Sequence, residues 1–411
     1  MSKITCLFML LFMAGTLDSF SGGFQVSLHG QKQIGMGSVG TSLSSDASCM
    51  FYNPGGLGFM EHKFSIVGGV SLLRSFAVYQ KAGFSNYQAN TDNPMGTPLN
   101  FYAAAKFGKK LGVGIALNTP YGNRLKWGDQ WAGRYLIQDI SMAAFFIQPT
   151  VSYKINDMFS VGAGFVYALG SVDLNKAVPV TFQDGSDGHV NIKGNANSTG
   201  YNVGLMIHPM KKLSIGIDYR SEVEMKVSGA DAKFTVPASL STNFPAENKV
   251  DVTLPCPANL DFGASYDISD KLLVGFSLNY VFWEIYDSLI FDFETNTSSL
   301  LDSHNPREYS NALIIRVGGQ YKINDKFTVR AGGYYDPTPV NKDYFNPETP
   351  SLDITALTCG LSYKPCPKLS IDAAFLYLMG KEMDMMYTPD NFGGKYKTRF
   401  YIPGIGFSYN F

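Results

Sequence analysis

The sequence predicts an all-β membrane protein, a 14-stranded antiparallel transmembrane β-barrel with an N-terminal plug inside its lumen. Three observations carry that expectation. A short polar turn recurs six times, at Phe107-Gly-Lys-Lys-Leu111, Tyr153-Lys-Ile-Asn-Asp-Met-Phe159, His208-Pro-Met-Lys-Lys-Leu213, Tyr266-Asp-Ile-Ser-Asp-Lys-Leu272, Tyr321-Lys-Ile-Asn-Asp-Lys-Phe327 and Tyr363-Lys-Pro-Cys-Pro-Lys-Leu369. Alternating apolar and small or polar residues follow each turn. The chain ends on an alternating run closed by Phe411. Successive turns lie roughly 40–60 residues apart, room for a strand up, a long loop and a strand down. Short turns at one end and long loops at the other mark a barrel of the outer-membrane type.

Six turns between periplasmic termini imply seven outer loops and fourteen strands. The expected strands are 62–75, 99–107, 111–120, 140–154, 159–175, 190–209, 212–228, 248–266, 271–292, 309–322, 327–337, 352–364, 368–382 and 396–411. Several exceed the roughly ten residues that cross a bilayer at 45° and should project beyond it. Parity sorts the side chains. In the ninth strand Leu272, Val274, Phe276, Leu278, Tyr280 and Phe282 should face lipid, and Gly275, Ser277, Asn279, Val281 and Trp283 should face inward. In the eleventh, Phe327, Val329 and Ala331 should face out, and Thr328 and Arg330 in. Asp218, Arg220, Asp261, Arg316 and Asp372 also take inward positions. A charge on the lipid face at mid-membrane would cost about 2–4 kcal/mol. The inward set also holds Val281, Trp283, Ile314, Leu376, Leu378 and Phe400. Such a partly greasy lumen suits a hydrophobic cargo or a packed plug better than an open polar pore.

Composition agrees. The charged fraction is 16%, with 42 Gly, 30 Phe and 24 Tyr. A barrel hides its apolar surface by alternation, so no long apolar helix is needed. A net charge of −1 argues against nucleic acid as a partner. Lys3, the apolar run from Ile4 to Leu17 and Ser19-Phe20-Ser21 read as a signal peptide over 1–21. Residues 22–60 are rich in Gly and Ser, too irregular for strands and too apolar for an exposed tail; they are expected to fold within the barrel of 61–411. Their glycines lack the Lys-Ser/Thr of a phosphate loop. Cys359 and Cys366, on a strand and its turn, are too far apart to bridge, and no Cys stands at metal-ligand spacing with a His. A Cys49–Cys256 bridge stays open at this stage. His29, His62, His189, His208 and His304 form no recognisable constellation with Ser or Asp, so an outer-membrane hydrolase is disfavoured and the protein is not expected to be an enzyme.

Several motifs resemble the outer-membrane transporters for long-chain fatty acids and aromatic hydrocarbons, the FadL type. They are Gly22-Gly-Phe-Gln25, the small-residue run 35–48 with Asp46-Ala47, and Asn53-Pro54-Gly55. Trp131-Ala-Gly-Arg-Tyr135, Val252-Thr-Leu-Pro255, Trp283 with Asp287-Ser-Leu289, and Arg330-Ala-Gly with Asp336-Pro-Thr-Pro-Val340 follow in the family's order. The resemblance covers essentially the whole mature chain. It implies that residues 22–60 are a hatch closing the barrel, and that hydrophobic cargo leaves sideways beside a kinked third strand. It places Phe24 at the pocket, Asn53 and Pro54 in the hatch motif, and Gly112, Gly114 and Pro120 where the kink would form. Close packing against the plug explains the two glycines equally well. Trp283, Arg316 and Arg330 are candidate ligand-binding residues, the arginines either for a carboxylate or as braces paired with inward Asp. Leu169 stands where fatty-acid members place a basic residue, so hydrophobic cargo in general is better supported than fatty acids. No cofactor or metal is expected. Expected partners are a hydrophobic small molecule, outer-membrane lipid and the barrel-assembly machinery, with the protein a monomer. A role in protein secretion or surface attachment on the same fold is the alternative, and a water-filled porin is disfavoured because a hatch would block it.

Overall fold

In the computed structural model, which describes residues 23–83 and 86–411, fourteen antiparallel strands close into one barrel. They are β1 (Phe64–Ser71), β2 (Leu99–Phe107), β3 (Leu111–Lys126), β4 (Asp139–Lys154), β5 (Phe159–Thr181), β6 (Asp187–Met210) and β7 (Leu213–Arg220). The second half comprises β8 (Asn259–Asp267), β9 (Leu272–Val281), β10 (Ala312–Lys322), β11 (Phe327–Asp336), β12 (Ile354–Cys366), β13 (Leu369–Gly380) and β14 (Phe392–Asn410). Each strand pairs with the next, and β14 returns to β1 in the register Ser65↔Asn410 to Ser71↔Gly404. Closure leaves no free edge, which a bilayer requires because it offers backbone groups no partner.

Parity holds through the wall. On β9, Ser277, Asn279 and Val281 are buried while Val274 is exposed. On β14, Ile405, Phe407 and Tyr409 are exposed and Ser408 is buried. The signal peptide expected over 1–21 lies outside the described residues. Cys49 and Cys256 are both free thiols, which removes the bridge between them.

The expected seventh, eighth and ninth strands are each shorter at the outer end than the sequence suggested. The seventh stops at Arg220 and the eighth begins at Asn259. Between them Val223–Thr235 and Glu247–Cys256 form a separate ribbon that pairs with the outer part of β6. The ninth stops at Val281, and Trp283 sits in the 3₁₀ turn Trp283–Ile285 rather than on a strand. The reason is a change of face. On β7 the odd residues Leu213, Ile215, Ile217 and Tyr219 lie opposite the buried Asp218 and Arg220, yet Val223, Met225 and Val227 are buried. A run of odd apolar residues therefore reads as one strand, although its apolar side swaps from lipid to lumen at Ser221-Glu222.

The N-terminal segment 23–60 is mostly buried and bonds to inward side chains around the wall. Ala47 N–H donates to Ser65 Oγ of β1 at 2.9 Å and Lys32 Nζ to Ser408 Oγ of β14 at 2.7 Å. Gly37 N–H donates to Thr358 Oγ1 of β12 at 2.8 Å, and Gly58 N–H to Ser152 Oγ of β4 at 3.1 Å. Arg220 of β7 donates to Phe51 O at 2.7 Å, and Ser265 of β8 to Ser42 O at 3.3 Å. Glycine makes this fit possible. A Cβ on Gly216 would sit 1.9 Å from Thr41 O, and one on Gly318 would sit 2.1 Å from Met36 O. These positions are where two backbones approach closely.

Candidate functional site

Residues 23–29 run extended across the lumen. Val26 N–H donates to Pro120 O at 2.8 Å and Gly122 N–H to Phe24 O at 3.1 Å, so this stretch adds a short strand to β3. Its place is vacated by β2, which pairs with β3 only from Phe107↔Leu111 to Asn100↔Asn118. Just beyond, the β3–β4 register shifts between Asn118 and Tyr121. Pro120 lies in that shift, within β3 rather than after it, and its missing N–H suits an interrupted ladder. Gly112 and Gly114 lie lower, on the regularly paired stretch. Added Cβ atoms there would meet Leu57 at 3.0 Å and Met50 Sδ at 2.4 Å, so both glycines seat the N-terminal segment.

Alternation divides 23–29 into two faces. Phe24, Val26 and Leu28 border apolar space; Gln25 and Ser27 border it too but also line a polar chamber, where His29 joins them. Phe24 is 4% exposed and meets Trp283, Tyr121 and Tyr286 at ring-centroid distances of 5.1, 5.9 and 5.9 Å. It lines two cavities at once. The upper one, of about 80 Å³, is walled by residues such as Ile140, Leu174, Ile192, Met225, Tyr286 and Phe291. The second, of about 180 Å³, runs from Leu376, Leu378, Phe400 and Ile402 across the lumen to Phe145. Phe145 is 38% exposed on the outside of β4. Tyr121, Gly122, Met142, Ala143 and Thr349 border both cavities, as Phe24 does.

The outer end is narrowed by the loop 345–352, whose residues are buried. Ser351 Oγ accepts from Gly23 N–H at 2.9 Å, tying loop to N-terminal segment. Glu348, the charged residue on the upper cavity, pairs with Arg307 at 2.5 Å. Burial alone would lower the Arg307 pKa, but the charge of Glu348 more than offsets it and holds it above its ordinary value. Lys176 stands near this cavity, its Nζ 6.0 Å from the Phe291 ring centroid.

Neither Arg316 nor Arg330 lines either apolar cavity. Arg316 borders the polar chamber, donates to Ser27 Oγ at 3.1 Å and lies 4.9 Å from the Tyr334 ring centroid. Arg330 donates to Gln320 at 3.2 Å and to Ser362 at 2.5 Å. Asn53 Nδ2 donates to Thr41 O and Leu205 O, both at 3.0 Å, and its Oδ1 accepts from Gly55 N–H at 2.9 Å. Pro54 opens the 3₁₀ turn Pro54–Phe59, and an added Cβ on Gly162 would meet its carbonyl carbon at 2.4 Å. Sequence reasoning did not single out Tyr121, Tyr286, Arg307 or Glu348. The only local sign was proline on either side of the Glu348-Thr349 pair, at 347 and 350.

The sequence profile of the family described as "Outer membrane protein transport protein (OMPP1/FadL/TodX)" matches residues 12–411. The chain belongs to this family. Its members' company is consistent. Outer membrane protein P1 of Haemophilus influenzae is 25% identical over 312 residues, covering 69% of this chain and 66% of that one. The match thus spans just under two thirds of that relative's length. The long-chain fatty acid transport protein of Salmonella typhi is 23% identical over 421 residues, covering 96% of this chain and 95% of its own. The crystal structure of a Pseudomonas aeruginosa FadL homologue superposes with a TM-score of 0.84 at 21% identity, covering 95% of this chain and all of the other. The Ralstonia pickettii toluene transporter TbuX gives 0.70 at 19% identity, covering 96% and 99%. The OMPP1/FadL/TodX member described here is an outer-membrane β-barrel protein.

Proposed function

We propose that this protein carries hydrophobic molecules, fatty acids or neutral hydrocarbons, passively across the outer membrane. Residues 23–60 act as a hatch that seals the lumen. The observation that carries the reading is Phe24, a buried ring shared by an apolar cavity below the outer mouth and a second cavity that reaches Phe145 at the interruption of the β3–β4 ladder. Cargo enters the upper cavity, displaces Phe24 and leaves sideways at that interruption into the membrane. Burial drives uptake, at about 0.8 kcal/mol per methylene before binding costs.

Arg316 and Arg330 brace the hatch and wall in this reading, because their hydrogen bonds go to Ser27, Gln320 and Ser362. The protein works as a monomer, inserted by the barrel-assembly machinery through its C-terminal strand. The relatives' names, long-chain fatty acid transport protein and toluene transporter, support hydrophobic cargo of either kind.

The test is binding of a long-chain fatty acid and of a neutral hydrocarbon of equal length to the purified protein, with wild type, Arg316→Leu and Arg330→Leu. Micromolar binding of both ligands, weakened alike or not at all by the substitutions, is expected. A fatty acid that alone weakens tenfold or more would make an arginine its carboxylate anchor. Wild type that binds neither would overturn transport in favour of a secretion or surface-attachment role.

A further inference from the structure

β5 and β6 have 23 and 24 residues, more than twice the roughly ten that cross a bilayer. The excess stands above the membrane, and its outer face is unlike the lipid-facing band below it. On β5, exposed Phe165, Tyr167 and Leu169 give way to Ser171, Asp173 and Asn175. Neighbouring strands change at the same height. The row Phe145↔Leu169↔Asn197 is followed by Ala143↔Ser171↔Asn195, then Ser141↔Asp173↔Lys193, then Asp139↔Asn175↔Asn191. The sheet extends sideways, where Lys193 pairs with Asp231 and Asn191 with Lys233.

These side chains lie tied together across the strands. Asn175 donates to Asp139 at 2.8 Å, Asn191 to Asp173 at 2.8 Å, and Lys193 pairs with Asp173 at 3.0 Å. The result is a flat grid of amides, hydroxyls, carboxylates and ammonium groups, with Asp139, Asp173 and Asp231 against Lys193 and Lys233. Tyr135 stands beside it, 38% exposed, bonded to Asp187 at the start of β6, with the Arg134 guanidinium 4.5 Å from its ring centroid.

We propose that this outer face of β4–β6 binds the oligosaccharide of the glycolipid that forms the outer leaflet. Position is the first argument. The grid begins one row above the last lipid-facing aromatic and aliphatic side chains, where acyl chains end and sugars begin. Chemistry is the second. Amides and hydroxyls offer donors and acceptors together, as sugar hydroxyls require. A surface with more carboxylates than ammonium groups does not suit phosphate alone. An exposed tyrosine gives a sugar ring an apolar face to rest on. The opposite face of the same strands presents Ile140, Leu174, Ile192 and Ala196 to the upper cavity. One stretch of sheet thus separates sugar from cargo, and the proposal rests on the outer-membrane location rather than on cargo identity.

The test titrates the purified full-length protein with two probes, lipopolysaccharide carrying its complete core oligosaccharide and deep-rough lipopolysaccharide that keeps lipid A and its phosphates. The complete form should bind at least tenfold more tightly. The triple variant Asn175→Ala, Asn191→Ala, Asn195→Ala should lose that preference while binding apolar cargo as wild type does. Ser141→Trp, which fills the face by bulk at a residue that lines neither cavity, is the second variant, and heat-modifiable migration reports barrel folding for both. Equal affinity for the two glycolipids overturns the proposal, because acyl and phosphate contacts then account for binding. Folded variants that keep the preference overturn it too.

Discussion

Phe24→Ala tests the cavity partition directly. Five hydrogen bonds hold the strand around it: two to β3 backbone, and those of Gly23 to Ser351, Gln25 to Asn259, and Arg316 to Ser27. At about 0.5–1.5 kcal/mol each, they contribute roughly 2.5–7.5 kcal/mol, so the strand stays docked when the ring is lost. A fully buried Phe is worth about 1.5–3 kcal/mol, and about half of that is the share that one ring face can give a cargo. The loss of about 0.8–1.5 kcal/mol corresponds to affinity roughly four- to twelvefold weaker. The partition is removed at the same time, so release should speed up by at least as much as affinity falls. Equilibrium titration with a fluorescent apolar probe and stopped-flow release in proteoliposomes measure both. Affinity and release within twofold of wild type, in a folded barrel, would refute the role given to Phe24.

Three further outcomes are expected. Gly216→Val places side-chain carbon against Thr41 O, 1.9 Å from an ideal Cβ, and should unseat the N-terminal segment while the wall still inserts; liposome swelling with small polar solutes should rise, and a sealed variant would contradict the hatch. Arg307→Met strands the buried Glu348 carboxylate at a cost of about 3–5 kcal/mol and should expose the loop 345–352 to protease. The double variant Arg307→Met, Glu348→Leu should recover most of that protection, and a double variant as sensitive as the single one would show that the ion pair does not hold the loop. Burial, then the charge of Arg220, holds the His29 pKa well below 6.5. The native state therefore resists a proton that the unfolded state accepts, and stability should fall by up to about 1.4 kcal/mol per pH unit as pH drops below about 6.5. Urea unfolding in micelles at pH 7.5 and 5.5 reads this, and His29→Gln should flatten the difference; an unchanged slope would exclude His29 as its source.

The wall was legible because lipid enforces alternation residue by residue. Fourteen strands follow from the six short turns, and the burial of Asp218, Arg316 and Asp372 follows from parity. Alternation alone could not show where a strand leaves the wall. Leu213 to Val227 keeps one odd apolar register while its apolar side turns from lipid to lumen, so the break at Ser221-Glu222 is silent in sequence. The site was legible only in part. Phe24 stood out only through the resemblance of Gly22-Gly-Phe-Gln25 to the family's mature start. Tyr121, Tyr286 and Glu348 converge on it from β3 and two loops far apart in sequence, and no local pattern records such a meeting. Arg316 and Arg330 drew attention as inward charges, but an inward position does not distinguish a cargo anchor from a brace; their bonds to Ser27, Gln320 and Ser362 are what favour the brace proposed above.

Lys32 and Ala47 grip Ser408 and Ser65, side chains on the two strands that meet where the barrel closes. The first and last parts of the wall to be synthesised are thus stitched by residues made before either. A chain that shut this seam first would have to thread the segment past walls whose glycines leave no spare room. Filling and sealing are therefore one event in biogenesis, and a lesion in this stitch should be seen as slow maturation before it is seen as a leak.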